Sequence, residues 1–302
     1  MKIASRMIRK TVILLCIVFP LIPVKAEVNG LQTEIGHLIK TKKATVGVSV
    51  VANHYRDTIT INGNVHFPMQ SVFKFPIALA ILSKIDKGTL TLNQKVHITE
   101  KDLPAKTWSP IKDKFPRGTV LTIGQILEYT VTQSDNVGCD VLLRLIGGPK
   151  AVETFLQRNG YNDISIKTNE EGMHQQWNAQ YRNWSTPVAM TNLLVGAYTN
   201  RNGLLSAKSY DLLWRLMKAT STGAKELKGQ LPPGTVIAHK TGSSGMNGKG
   251  MTAALNDAGI IFLPDGTPLF ITVYVSNSTE SPEKNEKIIS DIAKQVWDHY
   301  VK

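Results

Sequence analysis

Cysteine is scarce in this chain, since Cys16 and Cys139 are the only two among its 302 residues. Cys16 falls in an N-terminal segment that we expect to be removed on export. An exported protein left with one cysteine has no internal disulfide, so packing must supply its stability. We therefore interpret Cys139 as a small buried residue of a helix, without a redox role.

The sequence also lacks the patterns that bring in metals, cofactors or nucleic acids. No group of His, Cys and Asp residues has the spacing of metal ligands, and the seven histidines are scattered. The formal net charge is +12, yet no run holds five or more like charges, which is typical of a soluble basic surface. We expect no metal, no cofactor and no nucleic-acid partner, and we expect a monomer.

Long apolar runs are absent except near the N terminus. Residues 1–10 are cationic, the apolar run "TVILLCIVFPLIPV" follows, and Ala26 supplies a small residue at the end. This order is typical of a cleaved secretory signal, and the run is too short and too interrupted by proline to span a bilayer comfortably. We predict a signal peptide at 1–26 and a periplasmic mature protein without membrane contact, with a retained anchor as the weaker alternative. Removal lowers the 35 basic residues to 30 against 23 acidic ones, a net charge of +7.

The remaining chain changes its periodicity twice. After a helix expected at 30–43, two β-rich runs within 44–63 are split by a polar turn and predict a hairpin. From Ser71 to about Thr220 the apolar spacing is mostly helical, with helix start signals at several positions. Three strands and a closing helix are then expected, at 235–242, 253–263, 268–276 and 282–301.

Strands at both ends with helices between them predict an α/β (α+β) fold. We expect an antiparallel sheet built from both termini and flanked by terminal helices, with an inserted all-helical domain. The α/β domain is placed at 27–66 and 221–302, and the inserted helical domain at 67–220. A ligand would bind in the cleft between these two parts.

Three Ser-x-x-Lys tetrapeptides are candidates for a serine nucleophile assisted by lysine. On a helix the two residues share one face, with Cβ atoms roughly 5–6 Å apart, so the amine can reach the hydroxyl. Ser281 with Lys284 is explained by a helix N-cap followed by proline. Ser109 with Lys112 lies among prolines, and we expect it to be irregular and exposed, with a solvated lysine.

Ser71 with Lys74 differs from these two pairs. The apolar run "FPIALAIL" follows it, so the helix is expected to be buried, and a buried lysine needs a partner or a function. A serine in the first turn also faces the positive end of the helix. We select this pair as the candidate.

Two further motifs occur once each, Ser-Asp-Asn at 134–136 and Lys-Thr-Gly at 240–242. Each has a purely structural interpretation, because Ser134 is a fair helix N-cap and a Thr-Gly pair is a fair strand end. Their order and spacing relative to Ser71 favour a catalytic role instead.

Ser-x-x-Lys, Ser-Asp-Asn and Lys-Thr-Gly in this order are the motif set of penicillin-recognising serine enzymes. Over essentially its whole mature length the chain resembles the class A serine β-lactamases, and most of all their extended-spectrum VEB/PER-type branch. The segments that carry the resemblance are "FPMQSVFKFPIALA", "TWSPIK", "QSDNVGCD", "YRNWSTPVAM" and "AHKTGSSG". It implies hydrolysis of penicillins and cephalosporins, including oxyimino-cephalosporins, and thus β-lactam resistance.

The resemblance also implies roles for individual residues. Ser71 would be the acylated nucleophile and Lys74 its proton partner, while Ser134 would pass a proton to the departing lactam nitrogen. The backbone N–H groups of Ser71 and Ser243 would form the oxyanion hole. The substrate-binding residues that it implies are Asn136 for the side-chain amide, Trp108 at the cleft mouth, and Lys240, Thr241 and Ser243 for the carboxylate.

Hydrolysis needs one more group, because cell-wall transpeptidases and penicillin sensors share all three motifs. The resemblance places a water-activating glutamate before a Thr-Pro helix start, and counting back from Thr186 puts it at Glu170. Glu171 is then expected to face solvent. His174 stands where an asparagine usually helps to hold the water, although a structural role is also open for this histidine.

Several positions depart from the family pattern. Thr168 and Asn183 stand where most members have an Arg–Asp ion pair at the neck of the loop, so the loop could follow another path. Glu226 stands at the position of the branch's carboxylate-binding arginine. The cations left to supply that charge are Lys225, Lys249 and Lys240.

Two other functions fit the three motifs. A DD-peptidase would use the same serine on peptidoglycan stem peptides, and a non-hydrolysing penicillin sensor would be acylated and stop there. The tryptophans expected in the core, and not at a ligand, are Trp177, Trp184 and Trp214.

Overall fold

The structure is a computed structural model that describes residues 24–301. Most of the predicted signal peptide lies outside the described residues, so its cleavage stays a prediction. Within the described part of the chain, no helix is long and apolar enough to cross a membrane.

Ten α-helices lie within residues 24–301, together with ten β-strands. The helices are α1 Val24–Lys40, α2 Lys74–Asp86, α3 Pro110–Lys114, α4 Ile123–Thr132, α5 Asn136–Ile146, α6 Pro149–Arg158, α7 Glu170–Gln175, α8 Pro187–Tyr198, α9 Ala207–Lys218 and α10 Pro282–Tyr300. The strands are β1 Thr45–Ala52, β2 Asp57–Ile61, β3 Phe67–Pro68, β4 Lys95–Ile98, β5 Thr119–Thr122, β6 Ile164–Ser165, β7 Trp184–Ser185, β8 Ile237–Ser243, β9 Thr252–Phe262 and β10 Pro268–Ser278.

One antiparallel sheet combines strands from both ends of the chain, in the order β2-β1-β10-β9-β8. The predicted hairpin is confirmed, because Val48 lies opposite Ile61 and Ala52 opposite Asp57. β1 then pairs with β10 from the other end of the chain. The predicted antiparallel sheet built from both termini is therefore confirmed.

The two faces of this sheet bury different helices. Along β10, Phe270 and Tyr274 belong to the core formed with the helices of the middle part of the chain. The alternate residues Ile271 and Val273 face the opposite core, under the terminal helices α1 and α10. Each large apolar side chain buried in this way contributes about 1.5–3 kcal/mol relative to its exposed state. The terminal helices thus flank the sheet as predicted.

Helix starts follow the signals in the sequence. Thr122 caps α4 in a capping box with Gln125, and Thr186 caps α8 with proline at the first helical position. Ser281 caps α10 by accepting a hydrogen bond from the backbone N–H of Lys284, as its structural interpretation predicts. The first helix differs, since it begins at Val24, before the expected residue 30.

The middle part of the chain is mainly helical but also contains short strands. β4 pairs with β5, and β3, β7 and β6 form a second small sheet. These strands are two to four residues long, which is too short for a pattern of alternating residues to be seen in the sequence. The inserted part is therefore mainly helical but not all-helical. The domain boundaries at 66/67 and 220/221 stay predictions.

The expectation for Ser109 is wrong. Its side chain is buried and donates hydrogen bonds to the Asp135 carboxylate at 2.8–2.9 Å, while it also caps α3. Lys112 Nζ donates to three backbone carbonyls of residues 104–107 instead of being solvated. The contact with Asp135, 26 residues away, holds Ser109 in the interior. The prolines around Ser109 suggest an irregular surface loop, and the sequence does not reveal this contact.

The aromatic and sulfur residues follow the expectations in part. Cys139 and Trp214 are buried in the core, as predicted. Trp184 is half-buried and stacks on His66. Trp177 is exposed, so its assignment to the core is wrong. It lies in a polar stretch where no apolar periodicity indicates a buried face.

Candidate active site

Ser71 lies in a single turn of 3₁₀ helix, Gln70–Phe73, that leads directly into α2. Its hydroxyl oxygen accepts a hydrogen bond of 2.8 Å from Lys74 Nζ. The preceding Gln70 is buried and has a φ of +48°, in the left-handed region that non-glycine residues rarely adopt. Such strain costs on the order of 1–3 kcal/mol and is typical of functional sites. Gln70 is held there by donating a 2.6 Å hydrogen bond to Gln180.

Lys74 is fully buried and surrounded by oxygen atoms. Besides Ser71, its Nζ lies 2.7 Å from the Ser134 carbonyl oxygen, 2.6 Å from Asn136 Oδ1 and 2.8 Å from Glu170 Oε1. These partners offset the large cost of removing an ammonium group from water. An ammonium has three N–H groups but faces five oxygens, the fifth being the Ser134 hydroxyl at 3.4 Å, so the protons around it can be redistributed among the partners.

Ser134 lies between two buried lysines. Its hydroxyl accepts hydrogen bonds from Lys240 Nζ at 2.9 Å and from Lys74 Nζ at 3.4 Å. It is not the N-cap of α5, because that position belongs to Asp135, which accepts from the backbone N–H of Gly138. With a φ of +59° at Ser134, the backbone turns its hydroxyl toward the lysines, which the N-cap interpretation does not explain.

Lys240 is buried on β8, the edge strand of the sheet, and it shares the Ser134 hydroxyl with Lys74 at the start of α2. Burial, followed by the positive charge of Lys74, lowers the pKa of Lys240 to about 7. The hydroxyl groups of Thr241 and Thr222 lie 2.6 Å apart. Ser243 is exposed at the end of the strand, and its hydroxyl accepts from the backbone N–H of Gly245.

Gly242 allows β8 to lie directly against the nucleophile segment. A Cβ at this position would be 2.5 Å from the carbonyl oxygen of Met69 and 3.0 Å from the backbone nitrogen of Ser71. No side chain can occupy this space unless the backbone shifts. The glycine of the Lys-Thr-Gly motif therefore has a packing role in addition to any role as a strand end.

Glu170 begins the short helix α7, and its side chain is buried. Besides its 2.8 Å contact with Lys74, its Oε1 accepts a long 3.4 Å hydrogen bond from the Ser71 hydroxyl. Glu171 is exposed, as predicted. His174 lies one turn further along α7, with its Nε2 4.0 Å from Glu170 Oε2, which is too long for a hydrogen bond. The imidazole is more than half exposed at the edge of the cleft.

Asp140 of α5 anchors the beginning of α7, a role that sequence reasoning missed. Its carboxylate accepts from the backbone N–H of Glu170 at 2.7 Å, from that of Glu171 at 3.0 Å and from the Asn169 amide at 2.9 Å. Burial raises the pKa of Asp140 to about 6. No local pattern could reveal this role, because the contacts join residues about 30 positions apart.

The neck of the loop is closed by Asn183 without an ion pair. Its fully buried side-chain amide accepts from the backbone N–H groups of Lys167 and Thr168 and donates to the carbonyl oxygen of Thr168. An amide can satisfy both backbone donors and the backbone acceptor with no net charge. The uncharged pair at 168 and 183 therefore still fixes the loop.

A cleft of about 430 Å³ opens above these groups. Trp108 stands exposed at its mouth, with its indole N–H donating to the carbonyl oxygen of Gln133 at 3.0 Å. Lys74 and Lys240 lie buried beneath the cleft. The predicted site residues that line it are Ser71, Trp108, Ser134, Asn136, Glu170, His174, Thr241 and Ser243.

The three lysines considered for the substrate carboxylate occupy different places in the structure. Lys225 Nζ lies 4.0 Å from Glu286 of α10, and neither Lys225 nor Lys249 lines the cleft. Of the three, Lys240 is the one whose Nζ lies at the site, 2.9 Å from the Ser134 hydroxyl and 2.9 Å from the Thr241 carbonyl oxygen. Within residues 24–301, no group of three or more His, Cys, Asp or Glu side chains could hold a metal ion.

The chain is similar to known proteins along nearly its whole length. A family described as "Beta-lactamase enzyme family" matches residues 30–300. The chain is 54% identical to β-lactamase VEB-1 of Pseudomonas aeruginosa, over all of this chain and 99% of that protein. It is 40% identical to the extended-spectrum β-lactamase PER-1 of Pseudomonas aeruginosa, over 96% of this chain and 93% of the other.

Solved structures show the same fold. The crystal structure of the TLA-1 extended-spectrum β-lactamase matches with a TM-score of 0.88 and 48% sequence identity, over 91% of this chain and all of that chain. The crystal structure of TLA-3 extended-spectrum β-lactamase matches with the same score, identity and coverage. Since the family match and the relatives span nearly the whole chain, this protein belongs to the β-lactamase enzyme family and is a serine β-lactamase of class A.

Proposed function

We propose that Ser71 is the nucleophile that opens the β-lactam ring and that Glu170 directs water at the resulting ester. The observation that carries this proposal is the buried Lys74, whose Nζ lies 2.8 Å from both the Ser71 hydroxyl and the Glu170 carboxylate. A hydroxyl held against an amine and a carboxylate can lose its proton as it attacks.

Acylation follows from these contacts. Ser71 Oγ bonds to the lactam carbonyl carbon, and its proton passes to the Lys74–Glu170 pair. The C–N bond of the lactam then breaks, and the departing nitrogen takes a proton from Ser134, which the two neighbouring lysines resupply. The backbone N–H groups of Ser71 and Ser243 stabilise the oxyanion, aided by the close approach of Gly242 to the nucleophile segment.

Deacylation is the step that separates a β-lactamase from a penicillin-binding protein. Glu170 accepts a proton from water, the resulting hydroxide attacks the acyl carbon, and the proton returns to Ser71 as the ester bond breaks. His174, with its ring nitrogen 4.0 Å from the Glu170 carboxylate, would hold the water from the other side.

The substrate is held on both sides of the scissile bond. Lys240, Thr241 and Ser243 face the carboxylate that penicillins and cephalosporins carry, because Thr241 and Ser243 line the cleft and Lys240 Nζ lies beneath it, 2.9 Å from the Thr241 carbonyl oxygen. Asn136 binds the side-chain amide, and Trp108 covers the mouth of the cleft. Oxyimino-cephalosporins are included among the substrates, since the relatives PER-1 and TLA-1 are named extended-spectrum enzymes.

The place of action is the periplasm, after removal of residues 1–26. The cationic start, the apolar run and the small residue at its end support this proposal. We further propose that the enzyme acts as a monomer, without nucleic acid or membrane contact, and that it confers β-lactam resistance on its host.

Steady-state hydrolysis of a chromogenic cephalosporin by the mature protein tests the proposal. We expect many turnovers per enzyme, with peptide mapping of a trapped adduct placing the label on Ser71. A single turnover would indicate a penicillin sensor, and release of D-alanine from D-Ala-D-Ala peptides would indicate a DD-peptidase. A label on Ser109 or Ser281 would show that a different tetrapeptide holds the nucleophile.

A further inference from the structure

Glu226 is a buried acid that the proposed mechanism does not use. It lies between α9 and β8 and lines the same cleft as Thr222, Thr241 and Ser243. Only 7% of the residue is exposed, and its Oε2 is fully buried without a hydrogen-bond partner among the described residues. A buried polar atom without a hydrogen-bond partner costs about 1–3 kcal/mol. The carboxyl group is therefore stabilised by any ligand that supplies a hydrogen-bond partner.

The charges around Glu226 come from three elements. Lys240 of β8, Asp257 of β9 and Glu286 of α10 face it. Asp257 is already engaged, since both of its oxygens lie 2.9 Å from His239 Nδ1 and one accepts from the backbone N–H of Leu227. The neighbouring acids therefore provide no hydrogen-bond donor for Glu226. Their negative charges also disfavour ionisation of the Glu226 carboxyl group.

Protonation gives Glu226 a hydrogen to donate. Burial, and then the negative charge of Asp257, raises the pKa of Glu226 well above its usual range, against the opposing effect of Lys240. A protonated carboxyl has one O–H donor. The partner that suits it in this part of the cleft is an anionic oxygen, and the substrate carboxylate proposed to face Lys240, Thr241 and Ser243 supplies one.

We propose that Glu226, in its protonated form, donates a hydrogen bond to the carboxylate of the bound β-lactam and so acts as a specificity-determining residue. The proposal rests on the proposed function, because it needs the carboxylate to face Lys240 and its neighbours. An ionised Glu226 would repel the same carboxylate, so recognition of anionic substrates weakens when the proton is lost.

The test compares Glu226→Gln and Glu226→Leu with wild type, using kcat/KM for a cephalosporin and for its methyl ester. Gln keeps an N–H donor of similar shape, whereas Leu removes the donor. For the free acid at pH 7 we expect Glu226→Leu to lose about tenfold in kcat/KM, as for a hydrogen bond to a charged group, and Glu226→Gln to stay within about twofold of wild type. For the ester, both variants should lose less kcat/KM than for the free acid, because an uncharged ester carbonyl accepts a weaker hydrogen bond than a carboxylate.

The pH dependence provides a second readout that does not need the Leu variant to fold. The fall of kcat/KM for the free acid with rising pH should differ between wild type and Glu226→Gln, because only wild type loses the Glu226 proton. Lys240 titrates in both proteins, so the difference between the two profiles reports the Glu226 proton together with the effect of Glu226 on Lys240.

Three results would overturn the assignment of Glu226. They are equal losses on acid and ester, superimposable pH profiles of wild type and Glu226→Gln, and a Glu226→Gln loss confined to substrates with cationic side groups. Failure of wild type to turn over either substrate would instead overturn the proposed function.

Discussion

Lys74 Nζ lies 2.8 Å from Glu170 Oε1, and both side chains are buried. This ion pair joins the helix that carries the nucleophile to the loop that carries the candidate base. A buried charge left without its partner is strongly destabilising, so the pair fixes the loop over Ser71 as well as supplying proton acceptors. Deacylation should therefore depend on every contact that holds α7 in place.

Asp140→Ala should slow deacylation. The substitution leaves the backbone N–H groups of Glu170 and Glu171 without their acceptor, at a cost of about 1–3 kcal/mol for a buried group such as that of Glu170 and less for the exposed one of Glu171. The measurement is the single-turnover deacylation rate, with the free energy of unfolding from urea titration beside it.

Glu171→Ala is the matched control for Asp140→Ala, since its side chain is exposed on the same turn. It should deacylate like wild type. Wild-type deacylation in Asp140→Ala would show that α7 does not depend on this anchor.

Lys240 predicts a pH dependence of substrate recognition. Its pKa is lowered to about 7 by burial and then by the charge of Lys74. A lysine is charged below its pKa, so its attraction for an anionic substrate is present below about pH 7 and is lost as pH rises through that value. In Glu226→Gln, where Lys240 is the titrating group of this pair, kcat/KM for a β-lactam carboxylate should fall above about pH 7. A flat profile from pH 6 to 9 would contradict this assignment.

Gly242→Ala should slow acylation by a factor on the order of 10². The added Cβ would meet backbone atoms of Met69 and Ser71 at 2.5 and 3.0 Å, so β8 or the nucleophile segment must move. Stopped-flow acylation rates test this expectation.

Gly248→Ala is the control for Gly242→Ala, because a Cβ at position 248 meets nothing within 4 Å. It should acylate as fast as wild type. Equal rates in the two variants would show that the approach of β8 to Ser71 is unimportant for the reaction.

Asn183→Ala should lower the free energy of unfolding by about 1–3 kcal/mol and slow deacylation, because the backbone groups of residues 167 and 168 lose their buried partner. Chemical denaturation measures the first effect and single-turnover kinetics the second. Asn178→Ala, at an exposed position of the same loop, should leave both unchanged. If the two variants behave alike, the amide at 183 does not close the neck.

The sequence could predict those parts of the site that depend on local patterns. Ser71 and Lys74 stand out because a lysine begins an apolar helix, whereas Glu170 is identified through the resemblance to class A β-lactamases, by counting back from Thr186. The sheet can be predicted equally well, since β-rich runs bounded by turn residues mark its longer strands. Each of these features depends on residues within a short stretch of the chain.

Contacts between distant segments could not be predicted. The Asp140 anchor, the Asn183 bridge and the burial of Ser109 each join residues 15 to 30 positions apart through side chains that are common on surfaces. Burial also depends on what covers a residue, which is why Trp177 is exposed and Glu226 is not. The burial of these side chains depends on contacts in the folded chain, which no single segment of the sequence determines.

We propose that Glu170, by activating water, makes a hydrolase of a serine site that would otherwise only bind penicillin. Intact-protein mass spectrometry of Glu170→Ala mixed with a cephalosporin tests it most directly, with Glu170→Gln as a second variant that keeps an acceptor for Lys74. We expect a stable covalent adduct, mapped to Ser71, that persists while wild type returns to its free mass. Rapid turnover without an adduct in both folded variants would contradict it.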